Sequence, residues 1–374
     1  MKAADSESIE YPGAPLRAAI LGCGWFGGVH LERLSAIPGV HVVALADPDT
    51  AAAVKLAEGA PMQTRPAGAR AATYADYREL LQREDLDFVC IASPNQLHVE
   101  QILASLGHGF NVLCEKPLSM EPDGVQAVID LTAESGKLVA IAYQSRYRRS
   151  ARILREIVSA CRYGKITSVH IHTQEDWVTP NVSTWRHDPA RCPGGFFADA
   201  NGHQFDFLFH VTGLEAEWVR AETETRGTPV PIVTWGDARL RSHDERRDVS
   251  VPMGFMCVGD AHSWREEIAI TMERADFVVR NGQLLWSSGG QPISEYPASL
   301  APAEVLDLPD QPDSAFVSAL RGGPPVVSAP EAVWPVLRFT LAALASAEAC
   351  GEKTVAVDRW NASASGLRSE TGAK

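Results

Sequence analysis

No stretch of the 374 residues approaches the ~20 consecutive apolar residues that a membrane span requires. Residues 1–8 are polar and acidic, without the apolar core of a secretory signal, so a cytoplasmic protein is expected. Positive charge is scarce: 34 Lys and Arg stand against 47 Asp and Glu, a net charge of −13. A phosphate-backbone partner is recognised through a basic footprint, so nucleic-acid binding is excluded as the main function. The only basic clusters are Arg146-Tyr147-Arg148-Arg149 and Glu245-Arg246-Arg247, which the bland reading makes solvated faces. Cys-x-x-Cys is absent. The seven cysteines (23, 90, 114, 161, 192, 257 and 350) are scattered and odd in number. Two lie inside apolar runs at 88–92 and 112–114, where a thiol is a small hydrophobe. That usage fits a reducing compartment and not a disulfide framework. Neither an internal repeat nor a low-complexity segment is present.

The length suffices for two domains with their own cores, and 45% hydrophobic residues is ordinary for a globular protein. Residues 1–15 read as a disordered tail. From 16 to 143, apolar runs at 17–21, 40–46, 87–92, 111–114 and 137–142 alternate with helical spacing at 26–36, 50–58, 76–83, 97–107 and 122–135. Such alternation predicts βαβ units and a doubly wound parallel sheet. The texture changes across 144–365. A helix at 148–160 precedes a β-branched run at 165–174. An irregular stretch at 177–194 leads into one helix at 196–212, and strand-like segments follow at 217–222, 249–258, 265–272, 275–280 and 283–287. Asn281-Gly282 marks a hairpin turn. Helices at 313–321 and 329–349 close the chain. The second half thus predicts an α+β domain with an open, mostly antiparallel sheet, whose uncovered face points to a homodimer or homotetramer.

Gly22-Cys23-Gly24-Trp25-Phe26-Gly27 follows the first strand and opens a helix, the setting in which Gly-x-Gly-x-x-Gly reads as a dinucleotide fingerprint. The glycines permit a tight turn and close approach of a pyrophosphate to the helix N-terminus. Asp47 ends the second strand twenty residues after Gly27, where a carboxylate can accept from ribose hydroxyls; a helix N-cap is its plainer role. Pro48 follows it instead of an arginine, which favours NAD over NADP. Ser93-Pro94-Asn95 and His98 follow the 87–92 strand at the sheet's carboxyl edge, as cofactor contacts or as helix-capping and surface residues. Glu115-Lys116-Pro117 closes the 111–114 strand. Proline fixes its own φ and biases Lys116 towards an extended backbone, so the lysine is held in a preset direction.

In the second half, Gly194-Gly195 precedes Asp199 and His203, four residues apart and on one face of the predicted helix. A carboxylate beside an imidazole that titrates near neutrality suits proton transfer to or from an alcohol. A metal half-site is the other reading, but no third ligand is apparent, and no metal is expected.

Together these residues resemble the glucose–fructose oxidoreductase / inositol dehydrogenase / rhizopine-catabolism (Gfo/Idh/MocA) family over roughly 15–350. The resemblance rests on the loop at 22–27, Ser93-Pro94-Asn95 with His98, Glu115-Lys116-Pro117, and Asp199 with His203. It implies an N-terminal Rossmann domain, a C-terminal α/β domain with an open sheet, and reversible hydride transfer between a nicotinamide and a hydroxyl-bearing carbon of a sugar, inositol or related polyol. It implies that Lys116 hydrogen-bonds the reacting oxygen, that His203 is the general acid/base, and that Asp199 orients them or the substrate. The expected cofactor contacts are Gly22, Gly24, Trp25, Phe26, Gly27, Asp47, Ser93, Pro94, Asn95, His98, Glu115, Lys116 and Gln144. Substrate contacts are expected from Lys116, Arg146, Tyr147, Trp185, Arg186, Asp199 and His203, because aromatic faces and guanidinium forks suit sugar rings and acidic groups. Pro193 stands where many relatives have the first of three glycines, which alters the local loop and not the chemistry. Two other functions fit the same motifs: an NAD-dependent glycosidase or eliminase that oxidises its sugar transiently, and a non-catalytic dinucleotide-sensing regulator. Retention of both Lys116 and His203 speaks against the regulator.

Overall fold

A computed structural model describes residues 15–59, 70–242, 249–301, 308–351 and 355–356. The proposed tail at 1–15, apart from residue 15, and the basic cluster at 245–247 lie outside the described residues, as do 357–365. The chain divides into two compact units. One takes the chain up to Glu115 together with 128–142 and 313–325; the other takes 116–127, 143–312 and 326 onward. The partition is therefore not a single cut near 143.

The first unit alternates strands and helices: β1 (Leu16–Leu21), α1 (Trp25–Ser35), β2 (Val40–Ala46), α2 (Thr50–Gly59), β3 (Ala72–Tyr74), α3 (Tyr77–Arg83), β4 (Phe88–Ile91), α4 (His98–Gly107), β5 (Asn111–Cys114), α5 (Pro122–Ser135) and β6 (Val139–Ile141). The six strands pair in parallel in the order β3-β2-β1-β4-β5-β6. This is the dinucleotide-binding order, which switches direction beside β1. Residues 18–21 of β1 and all of β4 are solvent-free, as continuous apolar runs demand of a sheet covered on both faces. β3 was not expected; three residues at a sheet edge are too few to show a pattern.

The second unit contains α6 (Arg149–Ser159), β7 (Ile166–Asp176), α7 (Val178–Asn181), α8 (Gly195–Asp199), α9 (Gly202–Thr212), β8 (Leu214–Glu224), β9 (Val233–Ser242), β10 (Ser250–Val258), β11 (Asp260–Met272), β12 (Ala275–Arg280), β13 (Gln283–Ser288) and β14 (Ser294–Glu295). α10 (Pro312–Leu320) follows, its residues from Asp313 counted with the first unit; α11 (Trp334–Glu348) and β15 (Val355–Ala356) complete the described chain. The nine strands run β14-β13-β12-β11-β7-β10-β9-β8-β15, with β7–β10 the one parallel pair among those described. Asn281 and Gly282 both take positive φ, as a hairpin turn of the expected kind requires. One sheet face is packed by an aromatic cluster in which Phe205 and Phe339 lie 4.7 Å apart, with Phe197, Phe209 and Phe255 around them. β9 escaped the sequence pattern because Gly236 and Asp237 interrupt its alternation.

The single helix expected at 196–212 is two. Asn201, almost wholly buried, turns its side-chain amide back on the Phe196 carbonyl at 3.1 Å and accepts from the Thr173 hydroxyl. A side chain that captures backbone groups in this way competes with the helical ladder, and the helix breaks at 200–201.

Candidate active site

In the first unit, the loop between β1 and α1 is set by Gly22, whose φ of +96° and close approach to the Ser93 nitrogen leave no room for a side chain. Around Gly24 nothing stands within 4 Å of where a Cβ would lie, and no side chain caps the first turn of α1. This open backbone at a helix N-terminus fits a pyrophosphate. Trp25 is 80% exposed at the helix entrance and its ring lies 4.9 Å from that of Phe26. The Asp47 carboxylate accepts from the Cys23 nitrogen of the loop and from the Asp49 nitrogen, each at 2.8 Å. It thus ties β2 to the Gly-rich turn, and the unused lone pairs of both oxygens leave it able to accept from ribose hydroxyls. These residues fit a dinucleotide.

Two expected cofactor contacts are buried and bonded within the unit. His98 is fully buried and its Nε2 lies 2.9 Å from the Ser93 carbonyl, so it braces the Ser93-Pro94-Asn95 turn from behind. Glu115 is buried, with Oε1 3.1 Å from His30 Nε2. Ser93 Oγ, half-buried, donates to Gln101.

In the second unit, buried Lys116 donates from Nζ to the Asp199 carbonyl at 2.6 Å and lies 3.7 Å from Asp199 Oδ1. The other carboxylate oxygen accepts from Arg186 Nε at 2.8 Å and from Trp177 Nε1 at 3.2 Å. Burial alone would push the Asp199 carboxyl up; Lys116, Arg186 and the Trp177 hydrogen bond together hold it well below the usual carboxylate range. Gly195, the entry to α8, has φ +53°, and a Cβ there would collide with the Pro231 carbonyl. With the helix broken, Asp199 ends α8 and His203 lies in the first turn of α9, so they do not share the face of one helix. Half-buried His203 instead stands edge-on to Tyr143, centroids 6.4 Å apart, and Tyr143 lines a small cavity together with Lys116, Ala198 and Gly202. Arg186, bonded to the Asp199 carboxylate, also stacks on the Trp185 ring at 4.4 Å.

Arg146 and Tyr147, expected as substrate contacts, are both engaged by groups of their own unit. Arg146 is 5% exposed; its guanidinium grips Asp206 and donates to the carbonyls of Val327 and Ala332. Tyr147 is buried with its hydroxyl 2.8 Å from Ser328 Oγ. Both lie inside the second unit, and these bonds brace it. Gln144 opens the same turn in the second unit. Sequence reasoning missed Trp177, Tyr143 and Glu175. Burial pushes the Glu175 carboxyl up in spite of the Lys116 ammonium. Their only signal was position at a strand end.

Residues 16–143 match the oxidoreductase family with an NAD-binding Rossmann fold, and 151–276 match the GFO/IDH/MocA C-terminal domain. The chain belongs to the Gfo/Idh/MocA family of oxidoreductases. It is 28% identical over 218 residues to an inositol 2-dehydrogenase of Arthrobacter sp. (strain FB24), covering 57% of this chain and 60% of that protein. It is 27% identical over 207 residues to a myo-inositol 2-dehydrogenase of Thermotoga maritima, covering 55% and 58%. The chain thus spans less than two thirds of these relatives' own length. Its fold matches the crystal structure of an inositol dehydrogenase homolog from Azotobacter vinelandii complexed with NAD+, with TM-score 0.74, 18% identity, and 92% and 97% of the two chains covered.

Proposed function

We propose that the protein is an NAD-dependent dehydrogenase that acts on a hydroxyl-bearing carbon of a sugar, inositol or related polyol. The observation that carries the reading is the ammonium of Lys116 held against the Asp199 carbonyl in a buried site that also holds Arg186 and Trp177. A carbon that loses a hydride leaves its oxygen needing to shed a proton. Lys116 donates a hydrogen bond to that oxygen as negative charge gathers on it. His203 takes the proton in the oxidative direction and returns it in the reverse. Asp199 keeps Lys116 and Arg186 in place, and the Trp185 face with the Arg186 guanidinium meets the substrate's ring and polar groups. Gly22, Gly24, Trp25, Phe26, Gly27, Asp47 and the 93–95 turn would hold the dinucleotide. When bound, the nicotinamide supplies the hydride acceptor.

Further support comes from Asp47, which is followed by Pro48 and not by a cation, an arrangement that favours NAD over NADP. The test is a panel of polyols, sugars and glycosides read as NADH absorbance, run with NAD and NADP. Oxidation of at least one polyol or sugar with net NADH formation is expected. Glycoside cleavage without net NADH would replace the dehydrogenase by the transient-oxidation chemistry.

A further inference from the structure

Ionisable side chains far apart in sequence meet inside the first unit. His30, with no exposed surface, has Nδ1 2.6 Å from Asp313 Oδ1 and Nε2 3.1 Å from Glu115 Oε1. Arg33, one turn further along α1, brings Nη1 to 3.5 Å from the other Asp313 oxygen. From β4 the buried Cys90 thiol also faces the ring.

A neutral imidazole has one N–H and offers a lone pair at its other nitrogen. Here both nitrogens face carboxylate oxygens, and only the imidazolium donates to both. The charges then balance, two carboxylates against two cations, as a buried cluster requires. Burial by itself would lower the His30 value, but Cys90 and Asp313 hold it well above that of an ordinary histidine.

The carboxylates sit at informative places in the chain. Glu115 is the last residue of the first unit before the chain leaves it, and Asp313 is the first residue on one of its returns. The residue after Glu115 is Lys116. The Glu115 nitrogen is itself bonded to the Ile91 carbonyl at 2.8 Å, so backbone and side chain of this strand end are both anchored. We propose that His30 is a positioning residue for Lys116: by bridging Glu115 to Asp313 it fixes the end of β5 from which Lys116 departs. The inference rests on the role given to Lys116 in the proposed reaction.

The test combines activity with a readout that needs no substrate. Amino groups of the folded protein are acetylated competitively, and the rate at Lys116 is compared by mass spectrometry with that at exposed Lys55. His30→Gln retains a hydrogen-bond donor but removes the charge. The Lys116-to-Lys55 rate ratio should shift several-fold, and kcat per cofactor-binding site should fall by about tenfold or more, since small misplacements near the chemistry are costly. Adding Glu115→Gln, which removes the carboxylate that faced the His30 charge, should recover most of that loss. An unchanged ratio together with an unchanged kcat would overturn the proposal. A shifted ratio with unchanged kcat would uphold the hold on Lys116 and remove the catalytic role given to Lys116, so the two failures are separable. If His30→Gln does not fold, Asp313→Asn, which keeps an oxygen acceptor at Nδ1, is measured and judged the same way.

Discussion

Lys116 and Asp199 meet through the backbone: the ammonium donates to the Asp199 carbonyl at 2.6 Å, while Asp199 Oδ1 stands 3.7 Å away. A carbonyl remains an acceptor at every pH, so the location of Lys116 does not depend on a titrating partner. The carboxylate is left to hold Arg186 and Trp177.

Lys116→Ala and His203→Ala should each reduce kcat about a hundredfold or more, the scale of a lost oxyanion donor or general base. Cofactor affinity by fluorescence titration should change little. Both residues act on one proton transfer, so the double variant should lose less than the product of the single losses. Asp199→Asn keeps the backbone anchor and should cost less than Lys116→Ala. Retention of most of the wild-type kcat by either alanine variant, with chemistry rate-limiting, would refute that residue's role.

Asp47→Ala removes both the Cys23 anchor and the ribose acceptor. NAD affinity should fall about ten- to a hundredfold, the worth of a charge-assisted hydrogen bond. NADP affinity should fall less, so the preference erodes. Equal use of both cofactors by the wild type would sink the assignment.

Arg146→Ala should leave Asp206 as an uncompensated buried charge and destabilise the protein by about 3–5 kcal/mol in denaturant unfolding. Arg146→Met with Asp206→Leu should recover much of that. Substrate KM should be unaffected in folded protein, which separates this bracing role from substrate binding.

His30 gives stability a defined pH dependence. Its folded value lies well above its unfolded one of about 6.5, so its contribution is complete below that pH and is lost as pH rises through the folded value. The Tm should therefore decline on the alkaline side, and His30→Gln should flatten that decline. Parallel Tm curves for the two proteins would contradict it.

The outer face of the second sheet carries half-exposed Met256, with a depression lined in part by His170, His172, Trp235 and Met256. A second copy is the commonest cover for such a face. Light scattering should report a homodimer or homotetramer, and Met256→Glu should shift it towards monomer; a concentration-independent monomer would refute this.

Period and turn chemistry made most elements readable from the sequence, because β1, β4 and β5 are continuous apolar runs and the 281–282 turn has the residues its φ values need. Lys116, Asp199 and Arg186, named from the sequence, lie together in the structure. What stayed hidden depended on partners far along the chain. Arg146 reads as a surface cation until Asp206, Val327 and Ala332 are brought around it. His30 lies 283 positions from Asp313. The break at Asn201 depends on Phe196 and on Thr173 of another element, which no local helical spacing records.

The insertion of α10 into the first unit has a bearing on synthesis at the ribosome. Phe316 is solvent-free there and packs edge-on against Phe88 of β4, 5.3 Å between centroids, just beyond Asp313. The six strands are all translated by residue 141, yet this part of their covering emerges only after the whole nine-stranded sheet except its last short strand. At ordinary elongation rates that interval is roughly 10–30 s. Through it the nascent Rossmann half must wait with Phe88 lacking Phe316 and His30 lacking Asp313, so the first unit is completed only after most of the second has been made.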